Sequence, residues 1–217
     1  MSDVSLRRLV SDRADPGRTP IPPTAPATFI QGYPAALPRS TCEDIVSRFE
    51  ADPRKFPSRT ATRQTPLIRS GTMLEIPRYP EWADVCDLVT QVTRRCIDDY
   101  VKRYPSLQFL ASPQASMITP PIIERIAPGQ GYGYHVDAGA GGTHDRILSG
   151  LFYLRDIAEG GETEFPFQLL RIRPQAGMLL LFPPFWTHLH QGVSPVSAVK
   201  YNITNFVILR PPAPRPA

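Results

Sequence analysis

The chain has 217 residues, 41% of them apolar, and carries 24 Lys plus Arg against 20 Asp plus Glu. That length supports one full hydrophobic core. The net charge of +4 is scattered along the chain, which excludes the concentrated basic face of a nucleic-acid binder. No apolar run nears the roughly 20 residues of a membrane span; the longest, Met178 to Trp186, is broken by Pro183 and Pro184. The opening residues lack the apolar centre of a secretory signal, so a cytoplasmic protein engaging neither membrane nor nucleic acid is expected. Cys42, Cys86 and Cys96 sit at no metal-ligand spacing and read as reduced, buried thiols.

Prolines cluster in Pro16 to Pro26 and Pro211 to Pro216, where extended chain is favoured over packing. The expected division is a flexible Pro-rich segment 1–27, a single domain 28–210, and a Pro-rich tail 211–217. Thr28 to Tyr33 reads as a short strand. Ser40 and Glu43 form an S-x-x-E capping box ahead of Ile45, Val46 and Phe49, predicting a helix of about three turns. Arg54 to Ser70 is polar and aperiodic and reads as a loop or irregular strand. A second helix is expected from Pro80, a favoured first-turn residue, because Val85, Val89, Val92, Cys96 and Tyr100 recur at helical spacing. Tyr104-Pro105 ends it.

From Ile122 onward the pattern changes to short segments divided by Gly, Pro and Asn/Asp signals, as in antiparallel strands. The expected strands are Pro121 to Ile126, Tyr132 to Asp137, Arg146 to Leu154, Gln168 to Arg173, Met178 to Phe182 and Lys200 to Leu209, with Gly160-Gly161 as a turn. Helices followed by many strands make an α+β protein with a β sandwich or barrel. Nothing in the pattern specifies an oligomeric state.

His135 and Asp137 lie two apart on a predicted strand, where period two turns both side chains to one face. Alone, the pair is also what a histidine beside a turn aspartate would give. However, two of the four histidines stand together as His188 and His190. Two imidazoles and one carboxylate on one face of an octahedral ion leave the opposite positions open, the arrangement of non-heme Fe(II) oxygenases. A structural zinc site would be closed by four protein ligands. His188 shares strand parity with His190 and competes for the third place; the H-x-G context and the interval of ten residues to Lys200 favour His190.

The order Pro128-Gly129-x-x-Tyr132-x-x-His135-x-Asp137, Arg146, Tyr153-Leu154, Gly160-Gly161-Glu162-Thr163-x-Phe165-Pro166, His190-x-Gly192 and Lys200 resembles the Fe(II)/2-oxoglutarate-dependent dioxygenases of the prolyl 4-hydroxylase-like branch. The resemblance covers roughly Ile122 to Phe206. It implies a distorted double-stranded β-helix, or jelly-roll, supported by the N-terminal helices, with a metal-binding core at 122–210. It makes His135, Asp137 and His190 the ligands of Fe(II), and Lys200 the partner of the 2-oxoglutarate C5 carboxylate. Tyr132 would hydrogen-bond the cosubstrate. Thr204 and Phe206 share the Lys200 face by strand parity. The family often has a second tyrosine nine residues before the first ligand, where this chain has Ile126.

The implied activity is a dioxygenase consuming O2 and 2-oxoglutarate, releasing succinate and CO2 and hydroxylating an unactivated carbon, with ascorbate as a candidate reductant. A small-molecule or peptide substrate is implied, a peptidyl or amino-acid side chain first. The alternative is a cupin-like metal-binding sensor, or a non-redox isomerase on the same barrel. The glycine-rich loop Ala138 to Asp145 reads either as a lid or as a plain connection. His144 reads as a solvated loop residue, Arg146 as a cross-sheet partner of an Asp or Glu ahead of a substrate contact, and Trp186 as core or rim.

Overall fold

The computed structural model describes residues 28–62, 65–139 and 143–210. The expected Pro-rich segments 1–27 and 211–217, and the centre of the Ala138 to Asp145 loop, lie outside them. Among the described residues are two α-helices, α1 (Arg39–Ala51) and α2 (Ala83–Arg103). Six strands precede the long loop: β1 (Gln31–Tyr33), β2 (Phe56–Thr62), β3 (Thr65–Leu74), β4 (Ser116–Ile118), β5 (Ile122–Ile126) and β6 (Gly131–His135). Six follow it: β7 (Arg146–Tyr153), β8 (Thr163–Phe165), β9 (Leu170–Ile172), β10 (Leu179–Phe182), β11 (His190–Gly192) and β12 (Lys200–Leu209). All pair antiparallel in one curled sheet ordered β1-β10-β7-β12-β5-β3-β6-β11-β8-β9, with β2 on β3 and β4 on β12. This is the jelly-roll architecture.

Alternation along β12 organises the molecule. Tyr201, Ile203 and Val207 join the main core with Val85, Val89 and Val92 of α2 and Ile45 and Phe49 of α1. Asn205 donates to Thr93 Oγ1 of α2 at 2.9 Å. The residues between them face the interior of the curl. Strand β10 is apolar at every position because both its faces are buried: Leu179 and Leu181 pack toward the helices, whereas Leu180 and Phe182 join Tyr153, Phe165 and Met178 inside. Gly160 and Gly161 take φ of +72° and +75°, as their turn requires.

Three local expectations are corrected and one open alternative is resolved. Helix α1 begins earlier than a cap at Ser40 would have it: Pro38 is the N-cap and no side chain caps the helix. The Cys42 N–H donates to the Pro38 carbonyl and closes the first turn, which places Ser40 inside that turn. Of the two readings of Arg54 to Ser70 the strand holds: the stretch carries β2 and most of β3, whose order comes from non-local pairing of Arg69 with Tyr132 and of Thr72 with Arg125. The strand expected over Gln168 to Arg173 shrinks to Leu170–Ile172, since a turn ending at Leu169, with φ of 55°, occupies its start. Strand β6 ends at His135, so Asp137 lies in a bend whose N–H donates to the Pro184 carbonyl at 3.0 Å.

Candidate metal and cosubstrate site

Strand β11 pairs with β6 so that His190 stands directly opposite His135, and the bend after β6 brings Asp137 between them. One ligand atom from each of the three lies within 4.8 Å of the others. Asp137 Oδ1 is 3.5 Å from His135 Nε2 and its Oδ2 is 3.6 Å from His190 Nε2. Both separations exceed ordinary hydrogen bonds and suit donors converging on a common ion. His135 Nδ1 lies 2.8 Å from the Gly133 carbonyl and His190 Nδ1 lies 3.0 Å from the His188 carbonyl. Each ring therefore donates its Nδ1–H to backbone and turns a lone pair on Nε2 into the site, the outer-shell support that fixes a metal-binding tautomer. Ser149 donates to Asp137 Oδ2 at 2.6 Å and orients the carboxylate.

The electrostatics follow from burial and from Asp137. Burial pushes His190 down to about 4, against the opposing pull of the Asp137 charge; the Phe165 and Phe182 rings stand 5.5 and 4.8 Å from its imidazole. At His135 burial also works against the charged form, but the adjoining Asp137 carboxylate outweighs it and the net direction is upward. The same two imidazoles, with Ser149, hold Asp137 below its usual range although burial opposes them. The set is thus one carboxylate with a neutral His190 beside it.

Sequence reasoning gave His188 the same strand parity as His190, and the structure separates them. His188 sits in a single 3-10 turn, Trp186–His188, and its Nε2 lies 2.8 Å from the Thr28 carbonyl. Its ring faces the entering chain; only its backbone carbonyl serves the site. His144 is exposed in the turn before β7. Trp186 is 79% exposed and is not core.

A cavity of about 330 Å³ opens beside the three residues, and Tyr132, Lys200, Asn202, Thr204 and Phe206 line it. Lys200 is 2% exposed, and no carboxylate lies within ion-pair distance of it among the described residues. Burial pushes its ammonium down to about 7, with Glu162 partly opposing from a distance. A cation buried at that cost calls for an anionic ligand. Asn202 adds a buried Oδ1 with no hydrogen-bond partner. Thr204 and Phe206 continue the same face, as strand parity expects. The Tyr132 hydroxyl accepts from Arg69 Nε at 2.6 Å and lies 3.3 Å from Ser58 Oγ, so it reaches the cavity already partnered.

Four polar or charged lining residues escaped the sequence reading: Arg69, Glu124, Ser149 and Asn202. Arg69 pairs with Glu124 across β3 and β5. Parity could have found Asn202, midway between Lys200 and Thr204, and Ser149 lies within an expected strand. Arg69 and Glu124 carry no local signal, since their meeting depends on β3 pairing.

Residues 122–208 match the model of the 2OG-Fe(II) oxygenase superfamily. A PKHD-type hydroxylase of Synechococcus sp. (strain CC9902) is 36% identical over 77 residues, which are 34% of this chain and 35% of that protein's length; the alignment spans about a third of that relative. Among solved structures, a viral collagen prolyl hydroxylase of Paramecium Bursaria Chlorella virus-1, in its 2OG complex, is similar with a TM-score of 0.61 at 19% identity, over 83% of this chain and 96% of that one. A prolyl-4-hydroxylase of Pseudomonas putida gives 0.62 at 19%, over 85% and 95%. A 2OG-Fe(II) oxygenase family protein of Burkholderia pseudomallei gives 0.66 at 16%, over 88% and 90%. The chain has their fold. No helix among the described residues is long and apolar enough to cross a membrane.

Proposed function

We propose that this chain, whose residues 122–208 match the model of the 2OG-Fe(II) oxygenase superfamily, is an Fe(II)- and 2-oxoglutarate-dependent hydroxylase of a peptidyl or amino-acid side chain. The observation that carries the reading is the pairing, in one cavity, of a two-histidine, one-carboxylate donor set with the buried Lys200, which among the described residues has no carboxylate in ion-pair contact. A passive metal barrel has no use for a buried cation beside its ion, which disfavours the sensor and isomerase alternatives.

The donor set suits Fe(II). Two imidazole nitrogens and one carboxylate leave half of an octahedron open, and both Nε2 lone pairs are freed by backbone acceptors at Nδ1. Fe(II) with 2-oxoglutarate and O2 supplies the oxidising power, releasing succinate and CO2. The protein's part is positional. Lys200 holds the distal carboxylate of 2-oxoglutarate through a charge-assisted bond, while Thr204 and Asn202 on the same strand face offer it polar contacts. Ser149 keeps the Asp137 carboxylate turned toward the metal. Phe165 and Phe182 pack against the His190 ring and would keep water from that side of a bound metal. Tyr132, tied to Arg69, forms the wall beside His135, its ring centroid 6.0 Å from the imidazole.

The test is oxidation with amino acids and peptides. Purified protein with Fe(II), 2-oxoglutarate and O2 should release succinate in step with a product 16 mass units heavier, ascorbate sustaining turnover. Absence of succinate in every condition, uncoupled turnover included, would remove the reading and return the sensor alternative.

A further inference from the structure

We propose that the apolar patch around Trp186 is a docking site for the Pro-rich stretch Thr19 to Ala27 of this same chain, which immediately precedes the described residues. Three of the four most exposed large apolar side chains among the described residues lie on two neighbouring turns: Trp186 at 79%, Leu169 at 77% and Phe167 at 53%. Gln168, between Phe167 and Leu169, donates its Nε2–H to the Thr187 carbonyl at 2.9 Å, so a single hydrogen bond joins the turns. Isolated exposed apolar residues need no explanation, whereas a cluster marks a contact surface. Two further observations single this cluster out. Leu169 takes φ of 55°, a left-handed conformation that disfavours any residue with a side chain, and the strain is spent on holding a leucine in water. Gln168 Oε1 is buried without a hydrogen-bond partner, an acceptor that a docked backbone N–H would satisfy.

The point of entry selects the occupant. The Thr28 carbonyl lies 2.8 Å from His188 Nε2, two residues from Trp186. Phe29 is turned to φ of 54° and held there by Tyr100, whose hydroxyl donates to the Phe29 carbonyl at 2.8 Å, and by the Tyr104 ring at 4.7 Å. The chain ahead of Thr28 therefore starts beside the patch. In that stretch Pro20, Pro23 and Pro26 recur every third residue, the repeat of a polyproline II helix, which puts all three on one edge. Such an edge is what aromatic-lined surfaces bind, and the rings on offer are Trp186 and Phe167. Ile21, Thr24, Ala25 and Ala27 keep their N–H groups, one of which can serve Gln168 Oε1. No residue from Thr19 to Ala27 is charged, so docking on an apolar patch desolvates no ion. Tethering keeps the stretch at high effective concentration, so a modest contact suffices. The other Pro-rich stretch leaves β12 at Arg210, which bonds Ala115 and Pro113, residues that take no part in the patch. The turn so covered supplies the His188 carbonyl that accepts from His190, and Pro184 just before it accepts from the Asp137 N–H; the docked stretch braces the wall behind both residues.

The experiment reads Trp186 in the full chain. Of the two tryptophans, iodide quenching of fluorescence reaches Trp186 and not Trp82, which is 2% exposed; loss of the quenchable component in Trp186→Phe assigns the signal. Docking predicts that Trp186 in the unaltered chain is quenched several-fold less than in the triple variant Pro20→Gly, Pro23→Gly, Pro26→Gly, whose folded core is untouched. A synthetic peptide of residues 19–27, added to the triple variant, should restore the shielding. Phe167→Ala combined with Leu169→Ala should abolish it in the unaltered chain. Equal quenching of the unaltered chain and the triple variant would overturn the proposal, as would shielding that survives the Phe167 and Leu169 changes, or a peptide that leaves Trp186 exposed at every concentration. Shielding that grows with protein concentration would also overturn it, since the occupant would then be a second copy. None of these readouts uses metal or cosubstrate, so their failure would leave the oxygenase reading untouched.

Discussion

The two faces of strand β12 solve opposite problems with alternating residues. One face, Tyr201, Ile203 and Val207, is sealed against α1 and α2 and contributes apolar burial. Asn205, on that face, spends its amide on Thr93. The other face, Lys200, Asn202, Thr204 and Phe206, lines the cavity and includes a buried ammonium and an orphan amide oxygen. The first face makes the second tolerable: a strand pinned by a packed core can hold a buried cation that costs stability until its ligand arrives. Stability and chemistry are separated by one residue along the chain.

That separation can be attacked from either side. The largest effect is expected at the metal: Asp137→Ala should abolish the Fe(II)·2-oxoglutarate band while the fold persists by circular dichroism. On the packed face, Ile203→Ala, at 0% exposure, should cost about 2–4 kcal/mol of unfolding free energy, measured by denaturant, with metal affinity retained where the protein is folded.

On the cavity face, Lys200→Met should weaken 2-oxoglutarate binding about 30-fold, equivalent to roughly 2 kcal/mol, and should raise the melting temperature of the ligand-free protein. The pH dependence has a defined sign. Burial lowers the Lys200 pKa to about 7, whereas a bound 2-oxoglutarate carboxylate would require the protonated form. Cosubstrate binding above pH 7 therefore takes up a proton, and affinity should fall by up to tenfold per pH unit as pH rises. For the ligand-free fold the same depression means that the unfolded chain binds more protons between pH 7 and the ordinary lysine range. The Lys200 contribution thus favours the fold increasingly as pH rises through that window, and the trend should vanish in Lys200→Met. Calorimetry of binding and melting against pH measures both. The smallest effect is expected for His188→Gln: metal affinity should be unchanged, because His190 leans on the His188 backbone and not on its ring, with about 1 kcal/mol lost at the Thr28 contact.

The sequence made the site legible wherever its logic is local. The H-x-G at His190 and the alternation from Lys200 to Thr204 express strand period, the two-residue step from His135 to Asp137 keeps that pair together, and the structure brings these residues to one cavity. Where the logic is non-local it was hidden. His188 and His190 look equivalent in sequence, and only the turn before β11 sends one ring to Thr28 and the other to the site. Arg69 came from a stretch without periodicity, since its place depends on pairing with Tyr132. Asp137 reached the site through a bend rather than through the strand parity that first singled it out. Arg146, read as a cross-sheet partner ahead of a substrate contact, stacks on Phe206 and lines the cavity.

The most direct test is the crystal structure of the protein with Mn(II) and 2-oxoglutarate, the metal located by anomalous scattering. The expected result is one ion bound by His135 Nε2, His190 Nε2 and an Asp137 oxygen, with the distal carboxylate about 2.7–2.9 Å from Lys200 Nζ. An ion held by His188, or a distal carboxylate seated on Arg146 with Lys200 unpaired, would contradict it.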